Sequence, residues 1–255
     1  MFNSSVQEWL EANNAAVLTW YSTDGRVEFV GPVMSRWVAK SANYLVETFG
    51  EGEEPSVVLS LPDSWRTVAW AAGAGLAGAK VTVSDSPDLS EADVFVTADE
   101  DVAARVAEED PGLIVLLQDL GLMTTSWEGE LPDGVEDAIA EVSGQPDGIA
   151  FVDVQDADIP GGMPAPGAGD PTGHVVIMTD APRDYIGRIW QAWISGRPAL
   201  WVDPSLDIDR ILEQEKLASF EQPFGAPRAT TPKKSRTRSS ARRNVIRCRR
   251  EPLPT

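Results

Sequence analysis

The chain has 255 residues, 42% of them hydrophobic, which is enough for one large or two small domains with a sizeable core and excludes a disordered protein. The longest apolar run, residues 68–79, falls short of the ~18 residues of a membrane span, and the single cysteine, Cys248, excludes an intramolecular disulfide and a cysteine-built metal cage. The net charge of −19 is uneven: residues 226–255 hold 10 of the 21 Lys and Arg, leaving residues 1–225 with 11 bases against 39 acids, an acidic body that repels nucleic acid and anionic membranes and a basic tail that attracts both.

The opening MFNSSVQEWLEANN has neither the basic n-region nor the apolar h-region of a signal peptide, so the expected location is cytoplasmic. Ser5 and Glu8 form a capping box before Trp9 and Leu10 and predict a short helix. Residues 16–21 and 27–30 flank Thr23-Asp24-Gly25, and a D-G pair between apolar runs predicts a hairpin. Ser35 is the expected cap of a helix with Val38, Ala42, Leu45 and Phe49 on one face, ended by Gly50.

The stretch VVLSLPDSWRTVAWAAGAGLAGAKVTV, residues 57–83, organises the rest. Residues 57–61 and 81–83 carry the β-branched and apolar residues of buried strands. Between them Trp65, Val68, Ala69, Ala72 and Leu76 recur at helical spacing after the candidate N-cap Asp63, and Gly78 supplies the stop. Gly73, Gly75 and Gly78 spell G-x-G-x-x-G. The dinucleotide fingerprint needs its glycines between a strand and a helix N-terminus, whereas these end a helix, so close packing or a C-cap is the preferred reading over phosphate binding.

Strand–helix alternation continues with DVFVT (93–97), an acidic surface helix over 101–109, and LIVLL (113–117), favouring a doubly wound, mainly parallel sheet flanked by helices. A helix is a candidate over 134–142, and 159–173 is loop by composition. HVVIMT (174–179) is the next strand. Asp180 and Pro182 can start a helix bearing Tyr185, Ile186, Ile189, Trp190 and Trp193, ended by Gly196. ALWV (199–202) and a helix over 205–218 close the pattern. Residues 223–255, rich in Arg, Ser and Pro, read as a disordered basic tail; so abrupt a switch also arises when a GC-rich reading frame is shifted, and both readings stand. Bound to nucleic acid, the chain would use this tail.

Other constellations have an ordinary structural reading beside the functional one. His174 is the only histidine, which excludes a multi-histidine metal site, and a lone histidine entering a strand is more often structural. Asp153, Asp156 and Asp158 lack the Gly and terminal Glu of an EF-hand and suit a solvated loop. Tyr185, Trp190 and Trp193 either line an apolar pocket or, as their helical spacing favours, fill a core.

Residues 18–85 resemble the N-terminal domain of the adenylate-forming superfamily: the hairpin, then Ser41-Ala42-Asn43-Tyr44-Leu45 in a helix, then Leu61-Pro62-Asp63-Ser64 after a strand, then a helix closing on Ala77-Gly78-Ala79. A weaker echo runs over 175–202, and the length and Trp-rich helix are similar to a small family of short AMP-binding-like proteins of high-GC bacteria. The resemblance implies one adenylate-forming-like α/β domain over residues 1–222, with the basic tail, 223–255, beyond it. It also implies ATP-dependent activation of a carboxylate, which needs a phosphate loop ending in lysine. In this chain that loop falls on residues 167–173, without lysine and with Asp170 where phosphate would sit, a repulsion of about 1 to 4 kcal/mol at close range. The degenerate loop gives Gly169, Thr172, Gly173 and His174 as candidate cofactor-binding residues for ATP or AMP; no catalytic residue and no metal ligand is assigned. The expected function is that of a pseudoenzyme, a degenerate AMP-binding-like protein serving as a small-molecule-binding or interaction module. The alternative is a nucleotide- or acyl-binding half of an acyl-CoA synthetase-like enzyme that needs a separate partner.

Overall fold

The computed structural model describes residues 1–121, 124–158, 173–178 and 183–217, all within one compact unit. Helix α1 (Ser4–Ala12) precedes the hairpin of β1 (Ala16–Ser22) and β2 (Gly25–Val30), which turns at Gly25 with φ 139°. Then follow α2 (Gly31–Phe49), β3 (Ser56–Ser60), α3 (Trp65–Leu76), β4 (Lys80–Val83), β5 (Val94–Thr97), α4 (Glu100–Glu109), β6 (Ile114–Leu117), β7 (Val135–Asp137) and α5 (Ala138–Ser143). The described chain closes with β8 (Val175–Ile177), α6 (Asp184–Ile194), β9 (Ala199–Val202) and α7 (Ile208–Gln214).

Strands β3 to β7 form a wholly parallel sheet in the order β4-β3-β5-β6-β7. The chain grows first to one side of β3 and then, from β5, to the other, so this is the doubly wound arrangement the alternation predicts. Side-chain alternation divides its residues between two cores. Val57, Leu59, Val94, Val96 and Leu116 face the core that holds α3, while Val58, Phe95, Val115 and Leu117 meet Ala103, Val106 and Ala107 of α4.

The remaining strands form a second sheet, β2-β1-β9-β8, rather than extending the first. The hairpin is antiparallel, whereas β9 pairs parallel with both β1 (Leu18 to Ala199) and β8 (Val175 to Ala199). Helix α6 covers one face and α7 the other, where Ile211 and Leu212 pack on Val176, Leu200 and Val202.

Every residue of α3 is buried, so its all-round apolarity is that of a helix enclosed by the fold. A Cβ on Gly73 would stand 2.5 Å from the carbonyl oxygen of Val38 on α2, and Gly78 takes φ +87° just beyond the C-cap. The G-x-G-x-x-G run is therefore a packing and stop signal. Tyr185, Trp190 and Trp193 are core, at most 1% exposed. Each such indole removes roughly 200 Å² from water, on the order of 5 kcal/mol of gross stabilisation, and Trp193 satisfies its Nε1 on the Val17 carbonyl at 2.9 Å.

Several predicted helix starts move. Asn3, not Ser5, caps α1, its Oδ1 accepting from Val6 N. Helix α2 begins four residues before Ser35, with Pro32 in its first turn, and the buried Ser35 instead receives Gln7 Nε2 at 2.9 Å. Ser64, not Asp63, caps α3 by accepting from Thr67 N at 3.3 Å. The predicted 134–142 helix starts at Ala138 because Val135–Asp137 pairs with β6. Among the described residues no helix is long and apolar enough to cross a membrane. The tail read from 223 onward lies outside the described residues.

Candidate functional site

In an open doubly wound sheet, ligands bind outside the carboxyl ends of the strands where the strand order reverses. That switch point lies between β3 and β5. The loop leaving β3 is tied down: Leu61 and Ser64 are buried, and Thr67 Oγ1 donates to the Pro62 carbonyl at 2.9 Å. Because Ser64 takes the capping role, the Asp63 carboxylate is left at the rim, with 57% of its side chain exposed.

Arg183, the residue before α6, meets this loop. Its Nη1 donates to the Leu61 carbonyl at 2.5 Å and stands 3.5 Å from Asp63 Oδ1, and its Nη2 pairs with Asp85, just past β4. Only 12% of the side chain is exposed. Its backbone is left-handed, φ 71°, which costs a non-glycine residue about 1 kcal/mol or more and is held by these three contacts.

The charges at this crevice do not balance. Burial, then repulsion from Asp85 and from Asp203 at the end of β9, push the Asp63 carboxyl above its usual range, with Arg183 opposing. Tyr185, in the first turn of α6, has its phenol raised by burial and by the Asp63 charge. Two carboxylates, Asp63 and Asp85, thus share one guanidinium, with the Asp203 charge acting on Asp63 as well. A phosphate entering here would have to displace Asp63 and Asp85 from Arg183, so the crevice as folded suits a neutral or cationic group, or an anion that brings its own counter-charge.

The candidate residues from the sequence lie elsewhere. Gly169 and Thr172 fall outside the described residues. Gly173 and His174 sit at the amino end of β8, opposite the crevice, where Arg197 Nε donates to the Gly173 carbonyl at 2.9 Å and Nη2 to that of His174 at 3.0 Å. Asp153, Asp156 and Asp158 line an open cleft of about 680 Å³ with Glu53, Glu54 and Lys80. Among the described residues no group of three or more His, Cys, Asp or Glu could hold a metal ion. Sequence reasoning passed over Arg183 and Arg66; the available signal was their rarity as cations in an acidic body.

No family model matches the chain. A curated uncharacterised family protein of Mycobacterium tuberculosis is 32% identical over 126 residues, a match spanning 47% of this chain and 49%, about half, of that protein's length. Among solved structures, an acyl-CoA synthetase of Brucella canis superposes with a TM-score of 0.60 at 17% identity, covering 84% of this chain and 46% of that one. Coronafacic acid ligase of Pectobacterium brasiliense gives 0.55 at 10% identity, over 84% and 47% of the two chains. Fatty acyl-adenylate ligases of E. coli and L. pneumophila give 0.54 at 11%, over 83% and 42%. At these identities the likeness is one of fold. The chain has the fold of the N-terminal domain of adenylate-forming, acyl-CoA synthetase-like enzymes and spans less than half the length of those solved enzymes.

Proposed function

We propose that this chain is the acyl-CoA synthetase-like half of a two-part system, located in the cytoplasm, which binds an acyl or adenylate ligand and activates a carboxylate only together with a separate polypeptide. The observation that supports this reading is the fold, which superposes on the Brucella canis acyl-CoA synthetase with a TM-score of 0.60 over 84% of this chain. The partner would supply the cation that a triphosphate requires, since Lys40, Lys80 and Lys216 are the only lysines among the described residues and none of them belongs to the Arg183 contacts. ATP or AMP is the proposed cofactor, with the segment holding Gly169, Thr172, Gly173 and His174 as its proposed contact.

A second reading, a degenerate binding or interaction module, is favoured by the neutralisation of Arg183 by Asp63 and Asp85. Thermal unfolding with ATP, AMP and acyl-CoA, together with pyrophosphate release from ATP and a panel of carboxylic acids, separates the two. Stabilisation by nucleotide or acyl-CoA without turnover by the isolated chain supports the half-enzyme over an interaction module that binds neither. No stabilisation by any of them overturns it in favour of the module, and robust turnover by the isolated chain contradicts both.

A further inference from the structure

Arg66, second residue of α3, is 3% exposed, and its guanidinium carbon lies 4.5 Å from the Trp65 ring centroid and 5.0 Å from that of Trp37. Its Nη2 donates to the carbonyls of Gly121 and Thr124, each at a long 3.3 Å, and its Nε has no partner. The nearby carboxylates are committed elsewhere. Asp119 Oδ1 accepts from Gly121 N at 2.6 Å and Thr124 Oγ1 at 3.0 Å, while Asp137 accepts from Ile139 N at 2.9 Å and Trp127 N at 2.7 Å. Burial pulls the guanidinium down to about 10, against which Asp119 and Asp137 act only in part. A buried cation held by stacked indoles and two carbonyls, with no carboxylate bonded to it among the described residues, lacks the anion that usually accompanies one.

The indole Nε1 of Trp65, 2% exposed, is also without a partner. Trp65 and Arg66 line one small cavity with Trp37, Ser41, Trp70 and Gln118. Three other polar side chains on its walls have partners: Ser41 Oγ donates to the Trp37 carbonyl, Trp70 Nε1 to Gln118 Oε1, and Gln118 Nε2 to the Asp119 carbonyl. What the cavity leaves open is two unpaired buried donors, Arg66 Nε and Trp65 Nε1, and a positive charge, against which the Ser41 hydroxyl, already donating to Trp37, offers only its lone pairs. A water molecule would bring donors of its own and no charge, whereas an anion only accepts. The volume, about 10 Å³, is that of a single water-sized group.

We propose that this cavity binds a small monoanion between Arg66 and Trp65, seating either a halide or one carboxylate oxygen of a small organic acid. The site shares the first turn of α3 with the crevice around Arg183 but uses different side chains, and it stands independently of the half-enzyme reading. Gln118, directly after β6, places it at the carboxyl end of the sheet.

The test is thermal unfolding of the full chain while sodium sulfate is replaced by sodium bromide or by sodium formate at constant ionic strength, with bromide located by anomalous diffraction. Saturable stabilisation by bromide alone assigns a halide site, and by formate alone a carboxylate site; either, or both, supports the proposal. Trp65→Phe keeps the ring and removes one donor, so affinity should fall about tenfold, and Arg66→Met should abolish it. Absence of saturation with both anions, or equal saturation in Trp65→Phe, overturns the proposal even if Arg66→Met fails to fold.

Discussion

A Cβ built on Gly75 would stand 2.2 Å from the Cβ of Ala157, and Ala157 cannot retreat, because it exchanges two backbone hydrogen bonds with Phe2 at 3.0 and 2.7 Å. Phe2 is itself fixed against Trp190, ring centroids 5.3 Å apart. Gly75→Ala would gain about 1 kcal/mol of helix propensity and lose more to overpacking, typically 1–3 kcal/mol and at the upper end where backbone must move. The urea midpoint should therefore fall, whereas Gly148→Ala, with nothing within 4 Å of its Cβ, should leave it nearly unchanged. A Gly75→Ala variant as stable as the parent would show that the 153–158 segment yields freely.

Asn43 pins a distant loop to α2. Its Nδ2 donates to the carbonyls of Pro146 and Gly148 at 3.1 and 2.8 Å, and its Oδ1 accepts from Ala150 N at 2.9 Å. The side chain is 4% exposed. Asn43→Leu keeps the approximate volume, breaks three bonds and leaves two carbonyls and an N–H short of partners. At about 1 kcal/mol each, the expected loss is roughly 2–4 kcal/mol, with faster hydrogen exchange at Ala150. Slow exchange at Ala150 in the variant would mean that the loop is held by other contacts.

Much of this was legible in the residues because it is local. The Asp24-Gly25 turn, the short continuous apolar runs of β3, β5 and β6, and the helical stripe through Tyr185, Ile189 and Trp193 each declare themselves within a few residues. The division into two sheets was not legible, since β1 pairs with β9 across some 180 residues of sequence, Leu18 opposite Ala199, and neither strand carries a mark naming its neighbour. Caps moved where several capping residues stood close together and tertiary contacts chose between them: Ser64 over Asp63, and Ser35 diverted to Gln7. Arg66 and Arg183 acquire their meaning from residues tens of positions away, Trp37 and Gly121 for one, Leu61 and Asp85 for the other. No spacing rule announces such partners.

Arg183→Met should expose the imbalance at the crevice. Removal of the guanidinium leaves Asp63, Asp85 and Asp203 facing one another and strands the Leu61 carbonyl, a loss of about 1–3 kcal/mol near pH 7. Because the folded state already raises the Asp63 carboxyl, Asp63 contributes stability below its unfolded value that fades as pH rises through its folded one. Without Arg183 that carboxyl rises further, so the variant's stability should decline more steeply than the parent's from about pH 4 upward. Adding Asp63→Asn to the variant should flatten the difference. Parallel pH profiles for parent and single variant would remove Arg183 as the neutralising group.

Helix α7 should loosen in acid through Glu215. Its Oε1 accepts from Tyr21 Oη at 2.5 Å and from Arg26 Nε at 2.9 Å, joining the C-terminal end of α7 to the hairpin. Burial works to raise the Glu215 carboxyl, but the bonds from Arg26 and Tyr21 prevail and hold it below its usual value. A lowered folded value means stabilisation that is complete above the unfolded one and lost as pH falls through the folded one. Amides of residues 208–214 should therefore exchange faster, relative to the core amides of β3, as pH drops below about 4. Glu215→Gln keeps an acceptor for Tyr21 but removes the charge, costs about 1 kcal/mol at neutral pH, and should abolish that pH dependence. If the variant keeps the acid-dependent opening of α7, another carboxylate carries it.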